Sequence, residues 1–132
     1  VEVRAQLGFG LRTQVGYSLQ HTRDDATGSG LINSSRHQLR VSVSKPLSAN
    51  SMLGVGLRAE SGRLTSFGTE TPGAAIVNMS LTSEALPGGL RLKVIARNLL
   101  GVRHHTPGGF PHIQNTLPQP ARRISVGLTL NW

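Results

Sequence analysis

Cysteine is absent from the 132 residues, so the chain has no disulfide framework and no thiolate metal site. Long apolar runs are missing as well. Hydrophobic residues make up 37% of the chain, and no stretch approaches the roughly 20 apolar residues that a transmembrane helix needs. Aromatic residues are scarce at 4%, which leaves little bulk for a core between two packed sheets. Acidic residues number 6 against 14 lysines and arginines, a formal net charge of +8. Such an excess by itself suggests nucleic acid or another anionic surface. The basic residues are spread mostly singly, however, and form neither a run nor a helical stripe, so no nucleic-acid partner is expected. No Gly-x-Ser-x-Gly elbow or phosphate-binding loop occurs, Asp24-Asp25 is best read as loop-forming, and no enzymatic activity or cofactor is expected.

What the sequence has in quantity is alternation. In its last stretch Ile124, Val126, Leu128, Leu130 and Trp132 share one face of a strand, and Arg123, Ser125, Gly127, Thr129 and Asn131 share the other. The same period-2 pattern recurs upstream. Val1 to Leu7 form a first strand, and Leu11 to about Arg23 a second. His37 to Ser44 form a third, ending at Lys45-Pro46, and Leu53 to Glu60 a fourth. Ala75 to Thr82 and Leu90 to Arg97 give a fifth and a sixth. Ile76 and Ile95 break the pattern by falling on polar phases. With 16 glycines and no candidate linker, the chain is expected to be one all-β unit of about seven antiparallel strands.

Two regularities bear on function. The apolar phases carry no Asp, Glu, Lys or Arg except near strand ends, whereas the opposite phases carry Arg4, Arg12, Arg40, Arg58, Arg91, Lys93, Arg97 and Arg123. A charge at a lipid-facing midplane position costs about 2–4 kcal/mol, so exclusion from one phase is what a membrane barrel requires. Connections also alternate, short around Phe9, Asn50 and Gly88 and long around Gly28, Gly68 and Gly108. Outer-membrane barrels have short periplasmic turns and long extracellular loops. The predicted fold is therefore a portion of an antiparallel up-and-down transmembrane β-barrel. Scarce aromatics run against its interfacial girdles, since only Phe9 and Trp132 fall naturally at the periplasmic rim. A soluble, basic β-sandwich binding module gives the same periodicity and stays open as an alternative.

A more specific pattern lies near the end of the chain. Asn98-Leu99-Leu100-Gly101, then Arg103-His104, Pro107-Gly108-Gly109 and His112 to Arg122 leading into the last strand, resemble the C-terminus of TonB-dependent outer-membrane receptors. That family commonly shows Asn-Leu-Phe-Asp before its final loop, Pro-Gln-x-Gly-Arg before its last strand, and a terminal aromatic. Here Leu100-Gly101, Ala121 and Trp132 stand in those places with other residues. Tyr17-Ser18-Leu19-Gln20, and Thr71-Pro72-Gly73 before Ala75-Ile76-Val77-Asn78, are similar to the family's strand-to-loop passages. The resemblance implies residues 1–132 are the C-terminal segment of a plugged barrel of about 22 strands, with the plug and earlier strands absent. The start at Val1, without initiator Met or signal peptide, agrees with a processed product or a piece of something longer.

By that resemblance the whole protein takes up a scarce nutrient such as a ferric siderophore, haem or cobalamin across the outer membrane of a Gram-negative bacterium. Its partners are then outer-membrane lipid and lipopolysaccharide, a TonB-type energy-coupling protein reached through the absent N-terminal part, the barrel-assembly machinery, and an iron chelate or similar small ligand. Ile124, Val126, Leu128, Leu130 and Trp132 act as the barrel-assembly signal. A passive porin-like barrel is the alternative within the membrane class. Arg103, His104, His105 and His112 in the final loop are the candidate ligand-contacting residues. Neighbouring His104 and His105 point to opposite faces of an extended segment, which is poor geometry for one metal, so no metal site is assigned.

Overall fold

A computed structural model describes residues 1–23, 28, 30–109 and 112–130, and the chain forms β-structure with no α-helix among them. The strands in order are β1 (Glu2–Gln6), β2 (Arg12–Leu19), β3 (His37–Ser48), β4 (Ser51–Glu60), β5 (Arg63–Leu64), β6 (Glu70–Thr71), β7 (Ala74–Leu86), β8 (Leu90–Arg97), β9 (His105–Pro107), β10 (Thr116–Pro118) and β11 (Arg123–Leu130). Seven of them make one sheet in the order β1-β2-β3-β4-β7-β8-β11, each antiparallel to its neighbour. The short pairs β5–β6 and β9–β10 form two small ribbons within the long connections.

Turn chemistry puts all the short connections at one end of the sheet. Between β1 and β2 the chain reverses at Gly8–Gly10, with Phe9 at φ 60 and Leu7 N–H donating to the Leu11 carbonyl at 2.8 Å. Between β7 and β8 it reverses at Pro87–Gly89, where Gly88 has φ 79, a left-handed conformation that glycine adopts without steric cost. The three long connections, residues 20–36, 61–73 and 98–122, all emerge at the opposite end. The alternation of connection lengths predicted from sequence thus sorts the two ends of one sheet.

Register fixes the faces. Val3, Val15, Val41, Leu57 and Val77 lie in one cross-strand row, and Arg4, Gln14, Ser42, Gly56 and Asn78 lie in the adjacent row on the other side. Ile76 sits on the polar side directly opposite Arg58, and Ile95 sits there opposite Ser80 and Ser125. Some strand limits differ from the expected ones. β3 continues through Pro46 to Ser48 because the register shifts between Pro46 and Ser48, and such an irregularity is where a sheet tolerates a proline. β7 likewise reaches Leu86 past a shift after Ser83, whereas β2 stops at Leu19.

The apolar face is not covered. Among the described residues Ala96 is the one buried hydrophobic side chain, while Val3, Ile124, Val126 and Leu128 keep 59–65% of their surface exposed. A soluble sandwich needs a second sheet packed about 10 Å from the first. Among the described residues the other strands have only two or three residues each, and none of them makes a second sheet facing the first. The expected antiparallel, up-and-down order of seven strands is present. Closure is not: β1 and β11 each have one neighbour, so the sheet is open rather than a barrel. An open sheet leaves unpaired backbone groups along both outer strands.

Candidate functional site

Most side chains with little exposure gather at the long-connection end, and they are polar. Ser35, Thr65, Thr71 and Asn98 are 1–4% exposed. Asn98, from the Asn-Leu-Leu-Gly motif, adopts φ 50 and joins three segments. Its backbone N–H donates to Asn78 Oδ1 at 3.0 Å, and its Oδ1 accepts from Val102 N–H at 2.9 Å. Its amide nitrogen donates to the Val102 and Pro120 carbonyls at 2.8 and 3.3 Å. A short amide side chain is suited to this task, because Asn tolerates left-handed backbone and pairs with nearby main chain. Ser35 makes a similar junction, donating to the His37 and Ser61 carbonyls at 3.0 and 3.1 Å.

These junctions set the β9–β10 ribbon beside the polar face of the sheet. Asn115 donates to Thr69 at 2.7 Å, tying the ribbon's loop to the β5–β6 ribbon. Gly108 permits the ribbon's close turn, since a Cβ there would collide with the Gln114 carbonyl. Under the ribbon lies a chamber of about 350 Å³, floored by Arg58, Glu60, Ile76 and Asn78 and roofed by His104 and Gln119. That volume lies at the small end of the range of ligand pockets.

One carboxylate organises its charge. Glu60 Oε2 accepts from Arg58 at 2.9 Å and from Arg63 at 2.6 Å, with the Glu60 and Arg63 side chains only 14% and 16% exposed. Arg63 also donates to Asn33 at 3.0 Å, while its Nε is buried and has no acceptor among the described residues. Two guanidiniums against one carboxylate leave the chamber with a positive balance.

Elsewhere on the polar face Glu2 accepts from Arg4 at 2.7 Å and from Gln14 at 3.0 Å. Arg97 lies directly opposite Arg123, and Arg40 directly opposite Arg58. Like charges so placed repel across the ladder, and among the described residues only the second pair has a carboxylate beside it. A second hollow, about 540 Å³, opens among the outer connections with His21, Arg23, Arg36 and Glu70 in its lining.

The four loop residues predicted from sequence do not form one constellation. His104 lines the chamber and lies half-buried, with Nδ1 3.5 Å from the Val102 carbonyl. Arg103, His105 and His112 are exposed, and among the described residues no group of three or more His, Cys, Asp or Glu could hold a metal ion. Ile124, Val126, Leu128 and Leu130 stand together on the open face of β11, as alternation predicts, and Trp132 lies outside the described residues. Sequence reasoning missed Arg63, Asn78 and Gln119 as companions of His104. The available signal was Ile76, an isoleucine in a polar phase.

Geometry therefore defines an all-β chain built on one open antiparallel sheet with a basic polar face and a bare apolar one. Set against known proteins, the sequence matches no family model and no curated protein.

Proposed function

We propose that this chain is the C-terminal barrel segment of an outer-membrane nutrient-uptake receptor of the TonB-dependent kind, with the apolar face toward lipid and the basic face toward a water-filled lumen. The observation that carries the reading is the apolar face itself, exposed at Val3 on β1, Val15 and Tyr17 on β2 and Ile124, Val126, Leu128 and Leu130 on β11, and half-buried across much of the middle of the sheet. An apolar surface of that extent calls for an apolar environment. Strand lengths support it: β3, β4 and β7 have 12, 10 and 13 residues, and a tilted strand crosses a bilayer in about 9–11. Lys45, opposite Leu53, is the basic residue in the apolar phase of β3, three residues from the strand's short-turn end, where its stem can lie along the apolar band and its ammonium reach water.

In this reading the short turns are periplasmic and the long connections extracellular. The ribbons over the polar face then stand where a ligand from outside arrives. The whole receptor takes up a ferric siderophore, haem or cobalamin type of nutrient, powered through a TonB-type coupling protein that meets a part outside residues 1–132. Lipopolysaccharide surrounds the outer rim, and the barrel-assembly machinery reads the β11 end.

The test uses the protein carrying this chain in its native cells. Expected are recovery in the outer-membrane fraction, slower gel migration after boiling, and a plug sequence encoded upstream of Val1. Recovery in a soluble fraction refutes the membrane reading. Outer-membrane recovery with no plug encoded upstream refutes the receptor and leaves a passive barrel.

A further inference from the structure

We infer that the chamber beneath the β9–β10 ribbon is a binding site for a small organic carboxylate, with Arg58 and Arg63 receiving its charge and Ile76 its apolar skeleton. The inference takes its purpose from the receptor reading, a ligand arriving from outside, but its geometry stands on the chamber alone.

Three observations converge there. Arg58 and Arg63 share one oxygen of one carboxylate, Glu60 Oε2, at 2.9 and 2.6 Å. That leaves both guanidiniums with donor capacity, since each carries five N–H groups. An incoming carboxylate can engage these remaining N–H groups, and arginine's planar fork is matched to that shape.

Ile76 then selects the class of anion. It is one of two isoleucines that break the polar phase, and register sets it directly opposite Arg58 in the chamber floor. For inorganic phosphate an isoleucine beside the arginine is a loss, because it offers no hydrogen bond. For an anion with a hydrocarbon portion it is a contact surface. Above, His104 and Gln119 come from the two strand sides of the β9–β10 connection, so the ligand is held between sheet and ribbon. The chamber's volume of about 350 Å³ limits it to a compact molecule.

The experiment is ligand-observed NMR on the detergent-solubilised protein carrying this chain, with benzoate as probe and inorganic phosphate and benzamide as comparators. Benzoate is expected to bind, and neither comparator is expected to displace it at equal concentration. Arg58→Gln is expected to weaken benzoate about tenfold, the loss of one charge-assisted contact. Arg58 is half exposed and its removal leaves the Arg63–Glu60 pair, so the fold survives. Ile76→Ser is expected to weaken benzoate about fourfold or more through lost apolar contact. Arg12→Gln, on the polar face near the short-turn end, is expected to change nothing.

Failure of benzoate to bind overturns the inference. Benzamide or phosphate binding as well as benzoate, or indifference of the site to Ile76→Ser, does the same. Equal weakening by Arg12→Gln reduces the effect to the general positive field of the face and also overturns it. None of these outcomes bears on where the protein resides, which cell fractionation decides separately.

Discussion

Asn98 carries more of the outer architecture than any apolar side chain does. It is 4% exposed, holds φ 50, and bonds main chain on both sides of the final connection as well as Asn78 on β7. Truncation leaves the Val102 N–H and the Pro120 carbonyl without these partners and puts alanine in a left-handed conformation. Unsatisfied buried groups cost about 1–3 kcal/mol each, so Asn98→Ala is expected to lose roughly 2–4 kcal/mol. Asn98→Gly is expected to lose about 1 kcal/mol less, because glycine relieves the backbone part alone. Thermal unfolding in detergent checks both, and an Asn98→Ala protein that melts with the wild type removes Asn98 from this role. The chamber residues show a different economy: Glu60 restrains two arginines at once, and a positive balance remains for a third party.

At the scale of the element, the two faces of β11 offer the sharpest comparison. Val126 lies opposite Val94 on the apolar side, and its neighbour Ser125 lies opposite Ile95 on the polar side. If the apolar side meets lipid, Val126→Arg costs about 2–4 kcal/mol near the midplane, whereas Ser125→Arg joins a face already rich in arginine. The expected result is a strong loss of outer-membrane protein for Val126→Arg and near-normal levels for Ser125→Arg. Equal levels for both variants contradict the lipid-facing assignment.

The same periodicity is why the strands were legible in the sequence. β8 was expected over Leu90 to Arg97 and is found there, because its alternation is flanked by a glycine turn and by Asn98. Where a single residue was read as a stop the reading fell short: Pro46 lies inside β3, since a register shift relieves it. The ribbons β5–β6 and β9–β10 were invisible because two or three residues hold no period. The chamber was hidden for another reason. Arg58, Ile76, His104 and Gln119 are far apart in sequence, and only strand register and the ribbon's fold bring them together. What sequence supplied was the separation of His104 from His105 by alternation, and one faces the chamber while the other is exposed.

For the whole molecule the decisive feature is the pair of open edges. Seven strands in antiparallel succession make β1 and β11 run in the same direction. Pairing β1 directly with β11 is impossible in a fully antiparallel barrel, and so is a ring of identical copies, because β11 of one copy would meet β1 of the next in parallel. Copies related by a two-fold axis across the sheet would pair antiparallel, but one of them would carry its long connections on the opposite side of the membrane. An antiparallel barrel with all long connections on one side therefore needs an odd number of further strands of different sequence between the two edges. An odd complement to seven also gives the even total found in single-chain barrels of bacterial outer membranes. If the chain lies in such a membrane barrel, the protein carrying it is expected to hold one copy of it per barrel. Single-cysteine variants Gln6→Cys and Thr129→Cys, mixed in one membrane, are expected to give no disulfide between copies, and native mass spectrometry is expected to find one copy per barrel. A β1-to-β11 crosslink between two copies, or a barrel assembled from several, would mean that parallel pairing closes the sheet and that this account of its edges is wrong.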